Sequence, residues 1–449
     1  MSLRLATLAW LISGCLVSAE ASAQIAVRNQ GYVPFSEPPI NYRSNDLSDP
    51  VTQLQHRLEA GKASLTFEPE HGYLRSVLRL LQVPVESQTL VFSKTSFQYP
   101  KISPEHPRAL YFNDDVYVGS VHDGKAIEIV SFDPMQGAIY YLLDEHQVEK
   151  PAFQRAELDC TQCHIAAGTR GVPGVLLRSV SVTPTGTLVP GTKAFITDQE
   201  SPWNERWGGW YVTGSPGSSA HMGNAVTGGA APTFDAAAYL SPDSDVVAHL
   251  VLAHQTQMHN LITLTNYKTR LALADAPGAD AQGAARAAAA PAVPGSSSAL
   301  SGATQRQIQR PAEQLLRYLL FSNEAPLPGD GKLSLGTSSA FAKQFAARGP
   351  RDSRGRSLRD LDLTTRIFRY PCSYLIYSDS FDALPEPARG YVYHRLLQVL
   401  SGQDQSPDFA RLSASDRQAI LEILLDTKHG LPEEWQSYAK SFHKVRELS

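Results

Sequence analysis

The chain has little sulfur. Its 449 residues include four cysteines and four methionines, which excludes the disulfide-dense frameworks of small secreted domains. It lacks any unbroken apolar stretch of about twenty residues, so a polytopic membrane protein is excluded. It lacks a dominant charge. Its 40 Lys and Arg against 44 Asp and Glu leave a net −4, which argues against nucleic acid held on a broadly basic surface. It has no H-E-x-x-H, no G-x-S-x-G and no P-loop, and no repeat of about 20–50 residues. What is present is 42% hydrophobic residues, enough to bury substantial cores, in a length that suggests two or three structural units.

The first 23 residues have the layout of an export signal. Arg4 supplies the positive start, residues 5–19 form an apolar run too short to span a bilayer comfortably, and Ala21-Ser22-Ala23 is a cleavage signal with Gln24 as the mature start. Ile12-Ser13-Gly14-Cys15 also has the form of a lipobox, which would leave a lipid anchor on Cys15. This is the weaker alternative, because the apolar run continues past Cys15. Both put the protein outside the cytoplasm, periplasmic or otherwise exported, with no membrane span.

Composition divides the rest. Residues 24–150 read as β-rich: helices at 51–60 and 74–81 precede Leu90-Val91-Phe92 and apolar stretches at 109–121, 126–132 and 138–143, separated by Asn-Asp, Asp-Gly and Asp-Pro turn signals. Residues 151–270 are Gly- and Pro-rich, then predict a long helix over 241–270 with Ser241 as N-cap and Pro242 at its first position. Residues 271–309 contain an Ala, Gly, Ser and Pro tract that reads as a flexible insert. Residues 310–449 predict helices at 311–323, 338–347, 385–400, 413–428 and 432–443, with a capping box at Ser413 and Asp416 and a stop at Gly430-Leu431-Pro432. The expected class is α+β: an N-terminal antiparallel β region, a central segment with a long helix, and a mostly helical C-terminal part.

The motif that carries chemistry is Cys160-Thr161-Gln162-Cys163-His164. Two thiols one helical turn apart can reach the two vinyl groups of one haem, and the adjacent imidazole can ligate its iron. A zinc site would require two further ligands, and no second C-x-x-C exists. A thioredoxin-like motif would follow a strand in a βαβ unit. A disulfide leaves the histidine unexplained. One covalently attached haem c is therefore the expected cofactor, with His164 as one axial ligand. For the sixth position the candidates are Met222 in the loop His221-Met222-Gly223-Asn224, and Met258 and His254 on one face of the long helix. His259 points elsewhere, and an empty position is a further alternative.

Other clusters admit two interpretations each. Trp203, Trp207 and Trp210 could wall a haem or pack as an aromatic core. Arg178 and Arg206 could pair with haem propionates or with surface carboxylates. Seven arginines from Arg348 to Arg369 could dock an acidic redox partner or form a solvated charged face. Asn113-Asp114-Asp115 could supply an acid–base pair or simply a turn. Cys372 is left as a buried thiol.

At Cys160, Cys163 and His164 the chain resembles the bacterial c-type cytochromes. More strings resemble, as a set, a family of large exported bacterial monohaem proteins of unassigned reaction: Leu90-Val91-Phe92-Ser93-Lys94-Thr95-Ser96, Tyr111 to Gly119, Arg206-Trp207-Gly208-Gly209-Trp210-Tyr211, His254-Gln255 with Met258-His259-Asn260, and Arg369-Tyr370-Pro371-Cys372-Ser373-Tyr374. The likeness covers nearly the whole mature chain apart from residues 275–303, and supplies no substrate. The first functional expectation, from the haem motif, is one-electron transfer with a redox partner protein. The alternative is a haem-dependent oxidoreductase or small-ligand sensor, peroxidase-like or oxygen-handling, with an open or displaceable sixth iron position. A third reading makes haem only a staple of the fold.

Overall fold

Alternating apolar residues between 89 and 144 form one antiparallel sheet. In the computed structural model, which describes residues 33–214, 216, 219–276, 300–328 and 339–447, the strands are β1 (Thr89–Val91), β2 (Arg108–Phe112), β3 (Val116–Ser120), β4 (Ala126–Asp133), β5 (Gly137–Asp144) and β6 (Gln154–Arg155). A two-stranded piece, β7 (Arg178–Ser179) with β8 (Phe195–Ile196), stands apart, and β9 (Trp210–Tyr211) returns to pair with β1. The sheet thus has seven strands in the order β6-β5-β4-β3-β2-β1-β9. The apolar stretch 109–121 is two strands, because Asn113 turns the chain: its side-chain oxygen accepts from the Asp115 and Val116 amides.

Ten helices complete the described fold: α1 (Pro50–Glu59), α2 (Leu74–Leu80), α3 (Glu157–His164), α4 (Val246–Ala274), α5 (Gly302–Leu319), α6 (Ala340–Ala347), α7 (Asp379–Asp382), α8 (Glu386–Leu400), α9 (Ala414–Thr427) and α10 (Glu433–Glu447). The mixed α and β class, with the sheet in the N-terminal half and most helices C-terminal, agrees with the sequence expectation. The capping box of Ser413 and Asp416 opens α9, and Gly430 follows it at φ +74°. Among the described residues no helix is long and apolar enough to cross a membrane.

Two expectations are corrected. The long helix starts at Val246, capped by Asp245, whose side chain accepts from the Ala248 amide. The Ser241-Pro242 pair lies in a loop held by Gln88, whose amide donates to the Ser241 and Asp243 carbonyls. Along α4, 26 of the 29 residues are buried, and most of its polar side chains are engaged by the elements that surround it. Finally, α5 starts at Gly302 with Ser301 as cap and carries Pro311 inside it, so residues 302–309 belong to a packed helix rather than to the flexible insert. The signal at 1–23, including Cys15, and the low-complexity tract at 277–299 lie outside the described residues.

One hydrophobic cluster runs from Val33 through the sheet and α4 to Trp435. The regions separated by composition share this core, and α4 is its axis, packing on β5, α5, α6 and α8.

Candidate functional site

Strand β6 pairs with β5 at Tyr141 and Leu142, and α3 follows immediately. The Arg155 guanidinium pins this junction on the Ser44 and Tyr42 carbonyls. On α3, Cys163 and His164 lie about 60° and 40° on either side of Cys160 around the helix axis. All three residues line one cavity under the sheet, with a volume of about 170 Å³. That is below the roughly 300–1,000 Å³ of enclosed cofactor pockets, so a haem held here would stand partly outside it, on the side of the exposed Cys163.

Strand register builds the opposite wall. Leu110, Gly119, Glu128 and Leu142 stand in one cross-strand row; Phe112, Tyr117, Val130 and Tyr140 stand in the next. All eight line the cavity, joined by Leu252 and Thr256 of α4. Leu110, Val130 and Leu142 are only half-buried, and Cys163 is exposed. The wall therefore offers apolar surface that the protein itself leaves uncovered.

His164 is oriented by the backbone. Its Nδ1 lies 2.9 Å from the Gly174 carbonyl oxygen, and a carbonyl can only accept, so Nδ1 carries the proton and Nε2 presents its lone pair. The same carbonyl accepts from the Tyr140 hydroxyl at 2.9 Å, and the Tyr140 ring lies 5.2 Å from the imidazole. Burial holds the His164 pKa below its ordinary value; the bond to Gly174 opposes this and the Arg108 guanidinium adds to it. The imidazole is thus neutral and able to ligate a metal. Gly174 has no room for a side chain, since a Cβ there would run into Asn260 Oδ1. Asn260 in turn clamps Val175, accepting from its amide at 3.1 Å and donating to its carbonyl at 2.8 Å.

Arg108 also lines the cavity. Its guanidinium pairs with Glu128, which accepts from Ser96 Oγ at 2.7 Å and Gln98 Nε2 at 2.8 Å. Arg108 Nε is buried without a hydrogen-bond partner, a donor that an anionic group in the cavity would satisfy. These features fit a flat, largely apolar, partly carboxylated group such as haem: two thiols, one presented imidazole, uncovered apolar wall and an arginine.

The other sequence candidates lie elsewhere. Met222 accepts weakly from Ser179 Oγ at 3.6 Å, and its Cε packs on Gly208, where a Cβ would meet it at 2.9 Å. On α4 the cavity face carries Leu252 and Thr256; Met258 and His254 lie about 200° around the helix from them. His254 has both nitrogens engaged, Nδ1 with Gln199 Oε1 at 2.6 Å and Nε2 with Ser373 Oγ at 2.7 Å, and burial lowers its pKa to about 3. None of Met222, Met258 and His254 lines the cavity with His164.

Arg206 is buried, donating to the Ser201 and Gln199 carbonyls, and burial lowers its pKa to about 10. It does not line the cavity, nor do Trp207 and Trp210. These rings pack with Trp203, His221 and His249 as an aromatic core, and Trp210 Nε1 donates to the Arg178 carbonyl at 2.7 Å. Arg178 is half-buried and does not line the cavity either, although its charge contributes to lowering the His164 pKa.

The arginine-rich stretch is largely neutralised within the chain. Arg351 meets Asp360, Arg354 and Arg356 meet Glu422, Arg359 meets Asp114, and Arg366 meets Asp416. Asn113-Asp114-Asp115 is a turn, although burial, then the Asp114 charge, raise the Asp115 pKa to about 7. Cys372 is fully buried, and burial pushes its thiol well up.

Sequence reasoning missed Arg108, Gly174 and the sheet rows. Only the strand alternation hinted at the rows, and nothing local marks the other two. Among the described residues no three His, Cys, Asp or Glu side chains converge as a metal-ion cage. No protein-family model, no curated protein and no solved structure matches this chain.

Proposed function

We propose that the protein is an exported monohaem c-type redox protein, with haem bound through Cys160 and Cys163 and its iron ligated by His164. The observation that carries this is the convergence of both thiols and a pre-oriented, neutral imidazole on one cavity with an uncovered apolar wall. Haem so bound supplies a one-electron couple at iron. The chain's own contributions are distinct: Gly174 and Tyr140 hold the imidazole, Leu110, Val130 and Leu142 offer apolar surface, and Arg108 would meet carboxylate charge.

Among the described residues, the cavity lining includes no methionine and no histidine besides His164. This favours the second reading, a haem protein with an accessible sixth position that handles a small ligand or substrate, over a carrier with a filled one.

The test is expression in a host that exports the chain and attaches haem c. Covalent haem should survive on a denaturing gel, and Cys160→Ala with Cys163→Ala should abolish it. Absence of covalent haem in the unaltered protein would overturn the proposal.

A further inference from the structure

In the row that begins with Tyr140, Tyr117 stands two strands away, between Val130 and Phe112. The register runs Tyr117, Val130, Tyr140 across β3, β4 and β5, so the tyrosines stand two strand spacings, about 10 Å, apart. Tyr140 packs beside His164, and half-buried Val130 forms the floor between. Tyr117 lines the same cavity, on the side of Val130 away from the imidazole.

Its hydroxyl is clamped in one sense. Gln255 Nε2 lies 2.7 Å from the Asn113 carbonyl oxygen and 2.9 Å from Tyr117 Oη, while Gln255 Oε1 lies 2.6 Å from the Tyr374 hydroxyl. The Asn113 carbonyl can only accept, so the amide nitrogen must face it. The same nitrogen then donates to Tyr117, and Tyr374 must donate to Oε1. Tyr117 consequently accepts from the amide and keeps its own proton, for which the described residues provide no acceptor. Tyr374 is held under the Arg359 guanidinium, 4.3 Å from its ring centre, and Arg359 is fixed on Asp114. The clamp thus rests on several buried partners.

We infer that Tyr117 is a preorganised hydrogen-bond donor to a small anionic or oxygen-containing ligand bound in the cavity, with Gln255 as the positioning residue that directs its proton there. The inference rests on the haem reading and on an accessible sixth iron position. Burial raises the Tyr117 pKa well above the ordinary phenol value, so the group stays a donor throughout the physiological range. A fixed donor aimed at developing or resident negative charge avoids reorganisation when the ligand arrives.

The test uses the haem-loaded full chain and two probes. Fluoride on the ferric protein is a strong hydrogen-bond acceptor; carbon monoxide on the ferrous protein is a weak one. Tyr117→Phe should weaken fluoride binding at least roughly tenfold, with carbon monoxide affinity changed less than about twofold. Gln255→Met keeps the hydroxyl but frees it to rotate, and should give an intermediate loss for fluoride alone. Unchanged fluoride affinity in Tyr117→Phe, or equal loss of both probes in both variants, would overturn the inference. Unaltered protein that carries covalent haem but binds neither probe would remove the accessible position and this inference with it, leaving haem attachment intact. Protein without covalent haem would instead sink the underlying reading.

Discussion

His164 Nδ1 lies 2.9 Å from the carbonyl oxygen of Gly174, ten residues on in the chain. This contact sets the imidazole's tautomer and aim without any second side chain. It persists because Gly174 has no Cβ and because Asn260 of the central helix holds the adjoining Val175 backbone in both directions.

Gly174→Ala should therefore act on two levels. The new methyl displaces Asn260 and shifts the carbonyl that orients His164. Overpacking of this kind costs about 1–3 kcal/mol, readable by denaturant unfolding. Stability equal to the unaltered protein would mean that Asn260 yields without consequence.

Met222→Leu and Met258→Leu should each leave the absorption spectrum of the haem-loaded protein unchanged in both oxidation states. Met222 is packed on Gly208, and Met258 lies on the side of α4 away from the cavity. Each swap should destabilise by less than about 1.5 kcal/mol. A spectral change in either variant would place that sulfur on the iron.

His254→Leu should destabilise the fold while leaving the haem spectrum unaltered. It strands the Gln199 side-chain oxygen and the Ser373 hydroxyl in a fully buried site, at about 1–3 kcal/mol for each partner left unsatisfied. Thermal unfolding and the absorption spectrum together separate this structural role from an iron-ligating one.

Glu324→Gln should change how stability depends on pH. Glu324 is buried and accepts from the Ile367 amide at 2.8 Å. Burial raises its pKa from 4.5 to about 7, against the lowering effect of that amide and of Arg366, Arg411 and Arg206. Between those values the native state holds a proton that the unfolded state has released, so this group's stabilising contribution falls as pH rises. The variant lacks the titration and keeps the acceptor oxygen. It should gain on the unaltered protein by up to about 1.4 kcal/mol per pH unit across that window, then level off. Parallel pH–stability curves would refute the assignment.

Local pattern in the sequence was sufficient for much of the scaffold. Alternation and turn residues marked β4, β5 and, as one stretch, β2 with β3; periodicity marked α1 and α2, a capping box marked α9, and the C-x-x-C-H motif lies on α3. These signals are local because hydrogen-bonding and side-chain period repeat within a few residues. Long-range packing decided the rest. The period of its apolar residues marks α4 as a helix, but only the closing of the sheet and α5 around it makes His254, Gln255 and Asn260 internal links. Arg108, Tyr117 and Tyr140 face Cys160 and His164 only because strand register brings the rows of β2 to β5 together. The candidate iron ligands Met222, Met258 and His254 were equally plausible by residue type. Only the fold directs them away from the cavity, because which face of a helix or loop meets a site depends on partners distant in sequence.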